Sequence, residues 1–232
     1  MNFHIMTLFP EMVDYGLSQS IIGRGREAGL ITVKTYNIRD HANNKHNKVD
    51  DTPYGGGMGM LMAAPPVCEC YDAVCKGIPE DSKKHTVYVS PKGKILNHDI
   101  IKRLSGYDDL ILLCGHYEGI DERAIEEVAD EQISIGDYIL TGGELPACII
   151  VDCVARLVPG VLADSSCYED ESIASGLLEY PQYTRPYEYR GKKVPDILLS
   201  GHHENIAKWR AEQALKITEE NRPDLLKRDD KE

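Results

Sequence analysis

Three short apolar runs, at residues 87–90, 110–114 and 133–135, stop abruptly at glycine or proline: at Pro91-Lys92-Gly93, at Gly115 and at Gly136. Runs of this length without polar alternation are the pattern of strands buried on both faces of a parallel sheet. The loops after such strands share one sheet edge, where open α/β folds bind ligands. Three of them in one half of the chain predict one composite pocket. Residues 3–9 and 31–38 read as further strands, the second from its β-branched alternation. Helices are expected over 11–19, 68–76, 97–104, 120–129 and 146–157, with Pro10 and Pro146 as starters.

The 232 residues suit one large domain, or one of about 150 residues with a smaller companion. The N-terminal apolar stretch stops at Pro10 with no basic segment before it, so no secretory signal is expected. The longest apolar stretch, 147–159, is interrupted by Asp152 and Arg156, too short and too charged to span a bilayer. A cytoplasmic protein with no membrane partner is the expectation. Seven scattered cysteines, an odd number, read as reduced thiols. Cys68, Cys70 and Cys75 lack the fourth ligand that a structural zinc requires.

A net charge of −12 argues against nucleic acid as a partner, but the acid is unevenly spread. Residues 108–144 hold eleven acids and one arginine, whereas residues 181–216 hold seven bases and four acids. A basic face can therefore exist on an acidic protein, although a solvated helix gives the same bias. Asp121 and Glu122 fall in a first helical turn, where the helix dipole favours negative charge without any catalytic role. Residues 163–175 are small, acidic and aperiodic, the composition of a linker, and residues 205–217 read as a helix carrying the single tryptophan, Trp209.

The string Tyr54-Gly55-Gly56-Gly57-Met58-Gly59-Met60 lacks the Gly-Lys-Ser/Thr ending of a phosphate loop. Glycines there suit a backbone that must approach a flat ligand, since no Cβ stands in the way.

At residues 54–60, at 115–123 (GHYEGIDER), at 134–146 (SIGDYILTGGELP), at 176–186 (GLLEYPQYTRP) and at 194–203 (VPDILLSGHH), the chain closely resembles bacterial tRNA (guanine-N1)-methyltransferases, the TrmD family of the SPOUT superfamily. The strings follow in order across nearly the whole chain. The resemblance implies an α/β fold, a SPOUT-type parallel sheet with a deep trefoil knot, plus a small helical C-terminal domain. It implies a knotted methyltransferase domain over 1–160, a linker over 161–175 and a tRNA-binding domain over 176–232. It further implies an obligate homodimer with sites between subunits, S-adenosylmethionine as methyl donor, and a tRNA with guanine at position 37, next to the anticodon, as acceptor.

Carried over by position, Ser90, Pro91, Gly115 and Glu118 belong to the cofactor site, with Ile135, Gly136, Asp137, Tyr138, Ile139 and Leu140. Gly142, Gly143 and Pro146 complete it, largely through backbone groups. Glu118 is also the residue the resemblance links to a Mg2+ requirement, without a fixed protein metal site. Asp50, Tyr54, Gly55 and Gly59 are expected to meet the target nucleotide. Lys192, Lys208 and Arg210 are expected at the RNA backbone. His202 and His203 suit a turn as well as an RNA contact.

Guanine N1 carries a proton at neutral pH, so a carboxylate base is needed, and charge building on O6 calls for a donor. Arg156 sits at the family's arginine position, one turn from Asp152. The family's base lies in a Glu-Asp-Ser-Phe motif, from which this chain departs: it reads Tyr168-Glu169-Asp170-Glu171-Ser172-Ile173. Ungapped alignment selects Glu171 as base; keeping the acidic pair together selects Asp170. Glu171 is preferred and Asp170 is its rival. Three other readings stand beside this one: a knotted methyltransferase acting elsewhere on RNA, an RNA-binding protein that has lost catalysis, and a metal phosphohydrolase using Asp50, Asp51, Asp121 and Glu122.

Overall fold

The computed structural model describes residues 1–163 and 176–226. The chain forms two compact units, Met1–Asp164 and Ser165–Glu232. In order, the first contains β1 (Asn2–Thr7), α1 (Pro10–Leu17), α2 (Ser20–Glu27), β2 (Thr32–Asn37), a 3-10 turn (Ile38–His41), β3 (Asp50–Asp51), β4 (Leu61–Met62) and α3 (Ala64–Lys76). It continues with β5 (Lys84–Ile95), α4 (His98–Leu104), β6 (Asp109–Cys114), α5 (Glu122–Val128), β7 (Glu131–Ser134) and α6 (Glu144–Ala155). Five strands form one parallel sheet in the order β2-β1-β6-β5-β7. The architecture is thus mixed α/β around a central parallel sheet.

Strand alternation sorts the core into two layers. Phe3, Ile5, Val87, Val89, Leu110 and Leu112 face one side and pack with residues of α1, α2, α4 and α6. Met6, Tyr88, Ile111 and Leu113 face the other and pack with α3, α5 and the 3-10 turn. Central strand β6 is buried at every position because both its faces are covered, which is why its sequence shows no polar alternation.

Local signals start the helices. Pro10 occupies the first turn of α1, and Pro65 and Pro66 that of α3. The Asn97 side chain accepts the Ile100 N–H at 3.0 Å and caps α4. Asp121 caps α5 by accepting from the Arg123 N–H at 3.0 Å.

Several elements depart from the sequence expectation. The helix expected over 11–19 is α1, but a second helix, α2, follows it and is hidden in the sequence by Gly23 and Gly25. A Cβ at Gly23 would lie 2.2 Å from the Ser18 carbonyl oxygen, so glycine is what lets α2 follow α1 so closely. Pro91-Lys92-Gly93 does not end β5: the strand bulges there and resumes, with Val89 and Lys94 both paired to Ile133. A Cβ at Gly93 would stand 2.4 Å from the Gln132 carbonyl carbon, so the bulge closes only on glycine. Helix α6 begins at Glu144, two residues before Pro146.

The second unit combines a hairpin, β8 (Glu188–Tyr189) with β9 (Lys192–Lys193), a 3-10 turn (Asp196–Leu199) and helix α7 (His203–Asn221). Arg190 and Gly191 both take positive φ, 52° and 76°, the geometry of a two-residue hairpin turn. Beside α7, the main element of the unit expected to be helical, the hairpin is an addition that the sequence reading did not include. The Thr218 hydroxyl accepts the Leu178 N–H at 2.8 Å and donates to the Ala214 carbonyl at 2.7 Å, tying the unit's first segment to α7.

One buried polar chain ties the sheet together. His4 Nε2 lies 2.7 Å from Asp109 Oδ1, and its Nδ1 lies 3.2 Å from the Tyr36 hydroxyl. Ser82 donates to the other Asp109 oxygen. Burial alone would push the Asp109 carboxyl up, but the hydrogen bonds from Ser82, His4 and Asn2 outweigh it and hold the group below its ordinary value. A lowered folded pKa gives stability that is complete above the unfolded value, about 4, and lost as pH falls through the folded one. Denaturant unfolding of the wild type is therefore expected to show stability falling as the pH drops below about 4. Asp109→Asn should flatten that slope, and an unchanged slope would remove Asp109 as its source.

Candidate active site

The carboxyl ends of β5, β6 and β7 meet around a cavity of about 580 Å³. Twelve of the thirteen residues expected at a cofactor site line it: Ser90 and Pro91 after β5, Gly115 and Glu118 after β6, Ile135, Gly136, Tyr138, Ile139 and Leu140 after β7, then Gly142, Gly143 and Pro146. The exception is Asp137, which is exposed and not part of the wall.

Close backbone approach builds this wall. The Gly143 N–H donates to the Gly115 carbonyl at 2.9 Å, and His116 bridges to Gly142. A Cβ on Gly143 would lie 2.8 Å from Cys114 Cα, and one on Gly115 would lie 2.9 Å from the Tyr88 hydroxyl. Side chains at these points would collide with the chain itself, so the close crossing needs glycine. Gly136, at φ 147°, lets the chain turn out of β7, and the Ser134 hydroxyl braces the turn by donating to the Gly136 carbonyl at 3.1 Å.

Sequence reasoning missed several wall residues, including Tyr88, His116, Tyr117, Glu122 and Thr141. Tyr88 could have been found, since the period of two along β5 puts it on the same face as Ser90. Burial pushes its phenol up against an opposing hydrogen bond from Ser90, so it stays protonated near neutrality. Nothing in the sequence signals His116: its Nδ1 is buried and, among the described residues, has no hydrogen-bond partner. Its ring lies 5.0 Å from Phe9 and 4.9 Å from Tyr117. Below it the buried Glu144 accepts from the Thr7 hydroxyl at 2.8 Å, fastening the start of α6 to the end of β1. The Cys114 thiol is driven well up by burial and is unreactive.

The glycine loop hangs beside this cavity. β3 and β4 pair antiparallel, Asp50 with Met62 and Asp51 with Leu61, so residues 52–60 form the tip of a hairpin. Met62 bridges to Ile120, and the Glu118 N–H donates to the Met60 carbonyl at 3.0 Å, which joins the hairpin to the loop after β6. Gly55 and Gly59 have φ of 84° and 89°, and a Cβ on Gly59 would lie 2.4 Å from Glu118 Cγ. Tyr54 is fully exposed at the tip. This hairpin was not anticipated, because two-residue strands carry no periodicity.

The carboxylates of the phosphohydrolase reading do not converge. Asp121 is held below its ordinary pKa by the Arg123 guanidinium, which donates from Nε at 3.0 Å and Nη2 at 2.7 Å. Asp51 accepts from Lys48 and Thr52. Among the described residues no group of three or more His, Cys, Asp or Glu side chains could hold a metal ion. Glu118 alone does not make a site for one.

Arg156 is half-buried at the carboxyl end of α6, its N–H donating to the Asp152 carbonyl at 3.2 Å. Lys192 lies on β9, while Lys208 and Arg210 lie on α7. Lys208 pairs with Glu204 at 3.4 Å, and the Arg210 guanidinium sits 4.8 Å from the Tyr180 ring centre. Glu171 and Asp170 lie outside the described residues.

A parallel sheet with a glycine-lined cavity at its carboxyl edge defines an α/β protein built to bind a nucleotide-sized ligand. Comparison with known proteins narrows the class. The family model described as tRNA (Guanine-1)-methyltransferase TrmD matches residues 1–228. A Ruminiclostridium cellulolyticum protein named tRNA (guanine-N(1)-)-methyltransferase is 55% identical over 226 residues, 97% of this chain and 96% of its own. Proteins of the same name from Lachnospira eligens and Clostridioides difficile are 52% and 51% identical, covering 97% and 98% of this chain and 94% and 98% of theirs. The chain belongs to the tRNA (guanine-1)-methyltransferase family, TrmD. Among the described residues no helix is long and apolar enough to cross a membrane.

Gly143→Ala tests the close approach. Forcing a methyl into Cys114 and Gly115 backbone is expected to cost about 1–3 kcal/mol in denaturant unfolding. Gly16→Ala, whose Cβ would meet nothing nearer than 3.7 Å within α1, should be neutral or slightly stabilising.

Proposed function

We propose that this chain transfers the methyl group of S-adenosylmethionine to N1 of guanine at position 37 of tRNA, with the cavity at the ends of β5, β6 and β7 as the cofactor site. The glycine crossings carry this reading: Gly115, Gly142 and Gly143, where a Cβ would strike neighbouring protein atoms, let the strand-end loops close around a cavity of about 580 Å³, within the range of small-molecule sites. The family match over residues 1–228 supports the reaction class. The buried Nδ1 of His116 is a polar atom left for a ligand to satisfy.

When bound, S-adenosylmethionine supplies a methyl carbon on a positively charged sulfur that leaves as a neutral thioether. The chain's own task is to make guanine N1 nucleophilic. Glu171, or its rival Asp170, takes the N1 proton, and Arg156 donates to O6 as negative charge builds there. The hairpin tip at Tyr54, Gly55 and Gly59, with Asp50 at its base, presents the target base. Lys192, Lys208 and Arg210 hold RNA phosphates, giving residues 176–232 the role of a tRNA-binding domain beyond the linker at 161–175. Magnesium acts in this reading as an activator near Glu118, not as a resident ion.

The same reading includes a second copy of the chain. An apolar groove of about 560 Å³ runs along α6, and Leu145 and Ile149 on its wall are 52% and 40% exposed. We assign this face to a homodimer with sites between subunits. The passage of Gly142 and Gly143 against the end of β6 supports a trefoil-knotted path for residues 1–160. A tRNA substrate implies the cytoplasm.

Methyl transfer to tRNA transcripts carrying guanine or adenine at position 37 tests the function. Guanine-dependent transfer is expected, falling by about 10²–10⁴ in Glu171→Gln and about 10²–10³ in Arg156→Ala. If Asp170→Asn is the inactive carboxylate variant instead, the base assignment moves there. A wild type that binds cofactor and RNA but never methylates would mark an RNA-binding protein that has lost catalysis. Sedimentation of Ile149→Asp is expected to show monomer where wild type shows dimer.

A further inference from the structure

The second unit contains a cleft of about 860 Å³ that takes no part in the cofactor site or the methyl transfer, and Arg210 on its wall is one of the phosphate contacts proposed above. Three tyrosines, Tyr180, Tyr183 and Tyr187, and two arginines, Arg185 and Arg210, contribute to its wall. Pro181 and Pro186 keep this stretch extended, so its rings are presented along a cleft instead of being wound round a helix. Two of the rings are fixed by their neighbours. The Arg210 guanidinium covers Tyr180, 4.8 Å from its centre, and the Tyr187 hydroxyl donates to Asp196 at 3.0 Å. Tyr183 and Tyr187 remain 46% and 44% exposed. Residues 181–216 carry seven bases against four acids in a chain of net charge −12.

Exposed π faces set among guanidinium groups are what a single-stranded nucleic acid uses: the base stacks and the flanking phosphates meet the cations. Val194, Leu198, Leu199 and Ile206 give the cleft an aliphatic side as well, but its two guanidinium groups and the excess of seven bases over four acids along residues 181–216 favour a polyanion over an apolar protein segment. We propose that this cleft takes one unstacked base of the tRNA, stacked on Tyr183, with Arg185 and Arg210 at the neighbouring phosphates. The inference rests on the reading of the chain as a tRNA-acting enzyme and adds a second point of RNA capture, away from the reacting guanine.

The test uses the full chain and fluorescence anisotropy with two probes, a short oligouridylate and a fully paired RNA hairpin. Tyr183→Leu keeps apolar bulk but removes the π face, and is expected to weaken oligouridylate binding by about 5- to 150-fold, the worth of one base–aromatic stack. Tyr183→Phe keeps the face and should bind like wild type. Arg185→Gln should lower the salt slope of binding by about one, whereas Tyr183→Leu should leave the slope unchanged. Tyr183→Trp, which enlarges the face, should bind at least as tightly as wild type and keeps the test informative if Tyr183→Leu has a lowered thermal midpoint. Equal losses in the Leu and Phe variants, or a loss for the paired hairpin as large as for the single strand, would overturn the stacking site. A changed monomer–dimer equilibrium in Tyr183→Leu, with oligouridylate binding intact, would show that a second chain fills the cleft. Wild-type methylation of guanine-37 tRNA is measured alongside: if it succeeds while oligouridylate ignores Tyr183, only the cleft inference fails. If it is absent, the enzymatic reading fails whatever the cleft binds.

Discussion

Two peptide units pass each other without a side chain between them at Gly143 and Gly115, and the organisation of the first unit depends on that contact. The Gly143 N–H reaches the Gly115 carbonyl at 2.9 Å, and a Cβ on Gly143 would lie 2.8 Å from Cys114 Cα. This brings the chain after β7 back across the end of β6. It sets where α6 starts, and so which face of the sheet receives Ala147, Ile150, Val151 and Val154. The buried bond from Thr7 to Glu144 then fastens the same helix start to β1. The cavity is what remains between these crossings, so its shape follows from the packing of the fold itself.

This origin explains the chemistry of the wall. A pocket made by strand ends and glycine crossings offers mainly backbone N–H and C=O groups and apolar side chains, which suit the edge and face of a nucleoside better than they suit acid–base work. In the proposed mechanism the reacting carboxylate and Arg156 accordingly come from the region after α6. Tyr88 in the wall is kept protonated by burial, while Asp121, outside the wall, caps a helix and grips Arg123. The two units also divide the charge, with the acidic excess along residues 108–144 and the basic excess along residues 181–216.

Much of the central sheet was legible in the sequence because burial on both faces leaves a signature that needs no partner to be recognised. The runs at 110–114 and 133–135 lie on β6 and at the end of β7, as their apolar character implies. Legibility failed where structure is decided by closeness. Pro91-Lys92-Gly93 has the composition of a strand end, yet forms a bulge because β7 passes near enough to re-pair with Lys94. The same holds for α2, for the β3–β4 hairpin and for the β8–β9 hairpin, whose local patterns are too short or too glycine-rich to identify them.

For the candidate site, residue strings marked the positions, and resemblance supplied their roles. By itself the sequence determined the strands of the central sheet, the glycine ends of β6 and β7, most helix starts and the basic bias of the C-terminal stretch, since each follows from local composition and period. Only the tertiary structure decided that twelve of those positions share one wall while Asp137 stands outside it, that His116 and Tyr88 belong to it, and that Glu118 packs over Gly59. These depend on distances between segments far apart in the chain. Neither hydrophobic period nor turn chemistry encodes how closely two backbones will pass.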